Sequence, residues 1–297
     1  MGSEELTIIC NTKPISPATA ASPASNNAVK IIQKAIKYLL ENKKFMLQVF
    51  LLVLTPFWVL VLLHSIIVGP LMEKVEDSYE KSSLNRQDLI SLLALEIPFA
   101  VAFSLVLLFG SVVSIFASAL IHQGASLSLQ EILLRSRSTW KKTITSGLTV
   151  SILMTTIISL IVIAVYLTPL LGVLAALTYP YLASICNLGL VISTVEDDFP
   201  GTKGLFRAQE FVKKNKFQGY LLMLMLILLS IPIYLAFYVI STDDDDQIGH
   251  ITRFAFLFVA TVLFCLTIFF NNIVYTLLYL ELKSGYHLVH NVACTGS

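Results

Sequence analysis

Charge is scarce in this sequence. Asp, Glu, Lys and Arg together make up 13% of its 297 residues, where a typical soluble domain carries about 25%. So few charges cannot cover the surface of a soluble fold of this size, which excludes an ordinary water-soluble globule. Cysteine is also sparse. Cys10, Cys186, Cys265 and Cys294 show no metal-ligand or redox spacing, so neither a disulfide framework nor a zinc site is expected. No His-Glu-x-x-His, phosphate-binding loop or Gly-x-Ser-x-Gly occurs. Of the five histidines, His64, His122, His250, His287 and His290, only the last two are close in sequence. Catalytic residues, cofactors and metals are therefore not assigned. A net charge of +1 gives no bulk attraction to nucleic acid. No cleavable leader is expected either: the first apolar run starts at Phe45 behind a Lys-rich arm, so the first span is read as a signal anchor.

What the chain has in quantity is apolar sequence, 56% of its residues. A bilayer core about 30 Å thick is crossed by roughly 20 helical residues. Six runs are long enough, at approximately 45–69, 91–121, 144–166, 167–194, 218–241 and 251–281. The third and fourth abut. Thr168, Pro169 and Gly172 supply the breakers for a tight turn between them. Residues 1–27, rich in Ser, Pro, Ala and Asn over much of their length, are expected to be a disordered tail. A membrane domain spans 28–285, and 286–297 form a second tail.

Basic residues are distributed unevenly. All 20 lysines and arginines except Lys74, Lys81, Arg86 and Arg253 fall in the N-terminal arm, between spans two and three, between spans four and five, or in the tail. With six spans these four segments share one side, which the preference of Lys and Arg for cytoplasmic loops makes the cytoplasm. Both termini are then cytoplasmic, and endoplasmic reticulum and plasma membrane stay equally open. The opposite loops are acidic, with Glu73, Glu76, Asp77, Glu80 and Asp88 in one and Asp243 to Asp246 in another. The four aspartates lack the spacing of a calcium loop and are read as solvated, with weak cation binding as the other possibility.

Two basic segments are related. LLRSRSTWKKTITSG (133–147) aligns with LFRAQEFVKKNKFQG (205–219), with five identities in fifteen positions. Both are amphipathic at helical spacing. In the later copy Leu205, Ala208, Phe211 and Val212 share one face, and Lys203, Arg207, Glu210 and Lys214 share the other. In the earlier copy Leu129, Ile132, Leu133, Ser136 and Trp140 form the less polar stripe. The N-terminal arm repeats the theme with Val29, Ile32, Ile36, Leu39 and Leu40 opposite Lys30, Lys34, Lys37 and Glu41. The expected fold is an all-α membrane protein: six transmembrane helices in three pseudo-repeated units, each preceded by a cytoplasmic interfacial amphipathic helix. Such helices lie flat with the apolar face down. Their cations, Arg135, Arg137, Lys141, Lys142, Lys203, Arg207, Lys213, Lys214 and Lys216, are candidate ligands for lipid headgroups, at about 1 kcal/mol each near an anionic leaflet. Glu196, Asp197 and Asp198 are expected to pair with the second unit's cations or approach the next helix's N-terminus.

Residues 191–219, VISTVEDDFPGTKGLFRAQEFVKKNKFQG, resemble a plant family of uncharacterised six-span transmembrane proteins. Residues 117–148, ASALIHQGASLSLQEILLRSRSTWKKTITSGL, resemble that family's equivalent loop. The chain is more distantly similar to bacterial six-span proteins of unknown function and to the membrane domain fused to some glycerophosphodiester phosphodiesterases. The likeness covers roughly 28–285. It implies the architecture and carries over no catalytic residue. At Lys214-Asn215-Lys216 the chain departs from the Gly-Lys often found in the family.

Intramembrane polar groups are the remaining candidates. Glu96 and His64 lie near the outer ends of their spans, as interfacial residues or as buried contacts. Asn187, Asn271 and Asn272 lie deeper, either hydrogen-bonding between helices or lining a polar cavity. Two functional readings follow. The first is a membrane-organising or partner-binding protein, not an enzyme, whose basic face engages anionic lipid or protein partners. The alternative is a transporter or channel for a small solute or lipid, with a pathway through Glu96, Asn187, Asn271 and Asn272.

Overall fold

The structure, a computed structural model, describes residues 24–80, 86–124, 129–196, 198–242 and 250–295. Those residues form helices and no strand: α1 (Ala24–Glu41), α2 (Lys43–Ile67), α3 (Gly69–Glu80), α4 (Arg86–His122), α5 (Leu129–Leu167), α6 (Pro169–Val195), α7 (Thr202–Lys214), α8 (Lys216–Thr242) and α9 (His250–Thr295). Six of them, α2, α4, α5, α6, α8 and α9, contain a stretch long and apolar enough to cross a membrane. The expected disordered tail lies mostly outside the described residues, but its last four positions already belong to α1. The C-terminal tail continues α9 to Thr295. The aspartates 243–246 lie outside the described residues.

The turn between the third and fourth spans is a single residue. Thr168 is extended (φ −155°, ψ 136°), and its hydroxyl accepts from Leu171 N at 3.4 Å. Pro169 follows at the first helical position, where its missing N–H costs nothing. Gly172 is not a breaker, as the sequence suggests. It sits inside α6, where a Cβ would come within 3.0 Å of Val165 Cα. Its role is to let the two helices leave the turn in contact.

Cross-helix pairs set the topology. Phe50–Phe269, Phe57–Phe264 and Trp58–Phe258 run antiparallel between α2 and α9. Val53 against Gly110, Phe57–Phe103 and His64–Glu96 run antiparallel between α2 and α4. Asn187–Asn271 and Glu196–Tyr279 run parallel between α6 and α9. The helices α4, α6 and α9 therefore point the same way.

The core is concentrated in their C-terminal halves. It takes in residues 108 and 110–120 of α4, 183, 184 and 188–194 of α6, and 272–279 of α9, while most of the outer halves of α4, α5 and α6 are exposed. Small residues explain the close approach, as in membrane helix packing generally. A Cβ on Gly110 would meet Val53 at 2.5 Å, and one on Gly147 would meet Leu108 at 2.1 Å. Buried hydroxyls in this half return to their own helix: Ser114 to Gly110 O, Ser118 to Ser114 O, Ser193 to Gly189 O and Thr276 to Asn272 O, all within 2.6–2.7 Å. No orphaned donor is left at these positions.

The second amphipathic segment is not a separate helix. Residues 129–142 run without a break into the span that follows, as one helix of 39 residues. The other two segments are broken from their spans by asparagines, Asn42 (φ −110°, ψ 28°) and Asn215 (φ −126°, ψ 46°). In the aligned repeat Thr143 stands where Asn215 does. Asn tolerates non-helical backbone by bonding its own main chain, as Asn42 Nδ2 does to Tyr38 O at 3.2 Å. Thr143 instead is buried and helical. The rest of the alignment holds in packing: Ser136 and its counterpart Ala208 are both buried, and Gly147 and Gly219 both sit where a Cβ would crowd a neighbour.

Candidate functional site

One end of the bundle gathers the N-terminal helix and the C-terminal ends of α4, α6 and α9. Three ties hold it. Lys34 of α1 meets Glu281 of α9 at 2.8 Å. Tyr38 of α1 meets His122 Nδ1, at the end of α4, at 2.9 Å. The Tyr279 hydroxyl of α9 donates to Glu196 Oε1, just past α6, and Lys283 Nζ approaches the same oxygen at 2.7 Å. A fourth contact, Gly201 N to Ser146 Oγ at 2.7 Å, joins the loop before α7 to the start of the third span. This is the basic end.

Glu196 is the centre of that arrangement. Burial pushes its carboxyl toward the neutral form. The hydrogen bonds from Lys283 and Tyr279, with the charges of Lys283 and Arg207, outweigh burial and hold it below the usual carboxylate range. Among the described side chains its partners come chiefly from α9; the pairing expected with Arg135, Lys141 and Lys142 falls on side chains outside the described ones. The sequence carries half a signal for this: an acid closing an apolar span, and a Tyr and a Lys four residues apart on another, which share a helix face.

The amphipathic helices use their apolar faces differently from expectation. In α7, Gly204, Ala208, Phe211 and Val212 are buried by the protein itself. Gly204 lies against Gly189 O, and Leu205 against Gly189, so α7 folds back along the end of α6. The apolar stripe is therefore closed on protein and is not free to face lipid. In α1 the buried face is Ala28, Ile31 and Ala35, while Val29, Ile36 and Leu40 remain exposed at 37%, 45% and 67%. The stripe of large residues read from the sequence is thus split, and the interior is taken by Ile31 with the small Ala28 and Ala35.

The candidate cations sort accordingly. Lys203, Lys213, Lys214 and Lys216 are exposed, as is Arg137. Arg207 is half-buried: its guanidinium meets Glu210 at 2.9 Å and lies over the rings of Phe199 and Phe211. The side chains of Arg135, Lys141 and Lys142 lie outside the described ones. Exposed Phe206 and Phe217 stand among the lysines. Lys30, Lys37, Lys43 and Lys44 are exposed on α1 and the start of α2.

The intramembrane polar residues do not line up. Glu96 pairs with His64 at 3.2 Å, with Phe99 and Phe103 beside the imidazole. Asn271 donates to Asn187 Oδ1 at 3.2 Å, and Asn187 donates to Ala183 O at 3.0 Å. Asn272 faces a different seam, between α2, α4 and α9. Among the described residues no three His, Cys, Asp or Glu side chains come together as a metal site.

Comparison with known families matches residues 27–292 to a domain of unknown function, DUF8558. No curated protein and no solved structure matches the chain.

Proposed function

We propose, for a chain that belongs to the DUF8558 family of unknown function, a non-enzymatic, multi-pass membrane protein whose basic end faces the cytoplasm, rests on the anionic leaflet and organises that surface or a partner there. The observation that carries this reading is the company the exposed lysines keep. Lys213 and Lys216 flank the α7–α8 elbow with exposed Phe217, Lys203 and exposed Phe206 lie in the first turns of α7, and α1 offers Val29, Ile36 and Leu40 beside Lys30 and Lys37. Cations with adjacent apolar side chains match an interface of phosphate over acyl chain. The three-unit, six-span arrangement with both termini cytoplasmic belongs to the same reading, supported by the bias of Lys and Arg toward that end. Transport finds less support, because Asn271 donates to Asn187 across the α6–α9 contact and Glu96 turns to His64.

The test uses full-length protein in nanodiscs of phosphatidylcholine alone or with phosphatidylserine. Amide exchange in α1 and α7 should slow in the anionic discs. Replacing Lys203, Lys213 and Lys216 together with Gln removes about 3 kcal/mol at 1 kcal/mol per cation, on the order of 100-fold in headgroup affinity. Equal exchange in both discs for the unaltered protein refutes the reading.

A further inference from the structure

Asn272 is a buried polar residue near the middle of α9. It is 5% exposed, and its Nδ2 has no hydrogen-bond partner. Asn271, its neighbour, turns to α6 and is held by Asn187. Asn272 turns the other way and lines a cavity of about 10 Å³ between α2, α4 and α9, with Phe50, Val53, Gly110, Ser114 and Cys265 among the walls. A buried amide N–H₂ left without a partner pays its full desolvation penalty, so a partner is expected there.

The walls say what the partner is. The volume corresponds to about one water-sized sphere. Ser114 gives its proton to Gly110 O at 2.6 Å, which leaves the lone pairs of Ser114 Oγ as acceptors on the α4 side. Cys265 Sγ offers a weak third contact. A ligand here must accept from Asn272 and donate to Ser114, and it must be no larger than a water. We propose that this cavity is a binding site for a single water molecule that bridges Asn272 of α9 to Ser114 of α4. Water both donates and accepts, so it satisfies the amide in either flip. The bridge supplies the polar link between α4 and α9 that Asn187–Asn271 supplies between α6 and α9. α4 and α6 are then each fastened to α9 at similar depth. Gly110, another wall residue, brings α2 close to α4 beside it, since a Cβ there would meet Val53 Cγ1 at 2.5 Å.

The test is a map of the full chain in lipid nanodiscs or crystals at a resolution that shows ordered water, recorded with and without xenon. A solvent peak is expected about 2.7–3.2 Å from Asn272 Nδ2 and within hydrogen-bond reach of Ser114 Oγ. Asn272→Ala, which removes the amide donor, should lose that peak, whereas xenon, which enters dry apolar cavities, is too large for a site that holds one water. A xenon peak at this position in the unaltered protein, an acyl chain there, or no density at all overturns the proposal. The unaltered protein decides the matter by itself if the variant does not fold.

Discussion

The crossing of α7 over α6 depends on Gly204, and replacing it with alanine sets two effects against each other. Alanine is the better helix former by about 1 kcal/mol, so an open site would gain stability. This site is not open. A Cβ at Gly204 would lie 3.0 Å from Gly189 O, 3.0 Å from Phe199 O and 3.1 Å from Ser193 Cβ. Two of the three are backbone oxygens, which cannot rotate aside, so α7 must lift as a whole. Overpacking of this kind costs about 1–3 kcal/mol. The net loss for Gly204→Ala is then about 1 kcal/mol, or roughly a fivefold rise in the undocked population of α7. Gly204→Val adds bulk at the same point and forfeits part of the propensity gain, so it should cost more. Gly69→Ala is the control, because nothing lies within 4 Å of a Cβ there. Amide exchange of peptides covering 202–214, measured on full-length protein in nanodiscs, reads the effect. Exchange should quicken in the order alanine then valine, with the α2–α9 core unaffected. Unchanged protection of α7 in Gly204→Val would mean that the helix does not rest on α6 as described.

Two further outcomes follow from the polar contacts. Glu196 is held ionised by Lys283 and Tyr279, so its folded-state value lies below its unfolded one. The stability it contributes is present above the ordinary Glu range and is lost as pH falls through the lower, folded value. Exchange at the α6–α7 junction should therefore be constant from pH 7 to 5, after correction for intrinsic rates, and rise only below about 4.3. Glu196→Gln should loosen the junction at neutral pH and remove the acid limb; loosening of the unaltered protein between pH 7 and 5 contradicts this. For the Asn187–Asn271 pair, Leu substitutions singly and together should show a coupling of about 0.6–1.7 kcal/mol in unfolding measurements, whereas strictly additive single effects would show that the hydrogen bond contributes nothing.

The spans are readable in the sequence because an apolar run of bilayer length is rare outside a membrane helix, and the Thr168–Pro169 boundary is readable because proline marks a helix start. The fusion of residues 129–142 to their span is harder to see. It turns on Thr143 standing where the other two units have Asn42 and Asn215, one residue in each case. The covering of α7 is not readable at all. Hydrophobic periodicity finds an apolar face but does not say whether lipid or protein meets it. That is decided by Gly189 and Gly204, which permit an approach that larger residues forbid. In α1 the pattern favours the large side chains, whereas close packing favours Ala28 and Ala35. The ionic ties are invisible for another reason: Glu196 and Lys283 are 87 residues apart, and Lys34 and Glu281 are 247 apart.

These differences change how the basic end can act on a membrane. An amphipathic helix that inserts its apolar face gains from buried area and charge together. In α7 the apolar face is already committed to α6, so insertion of that face would first require undocking. What α7 offers a leaflet without undocking is charge, with Phe206 and Phe217 as the apolar contacts beside it. Helix α1 retains Val29, Ile36 and Leu40, and is tied to α9 through Lys34 and to α4 through Tyr38. On the proposed reading the two helices would divide the work: α1 carries most of the exposed aliphatic surface, and α7 carries cations on a docked helix. Rigidity matters here because cations already fixed in place lose less conformational entropy on meeting a headgroup. If the proposed lipid contact holds, the Glu196 cluster and the Gly189–Gly204 crossing bear on it indirectly, by fixing the mount of α7.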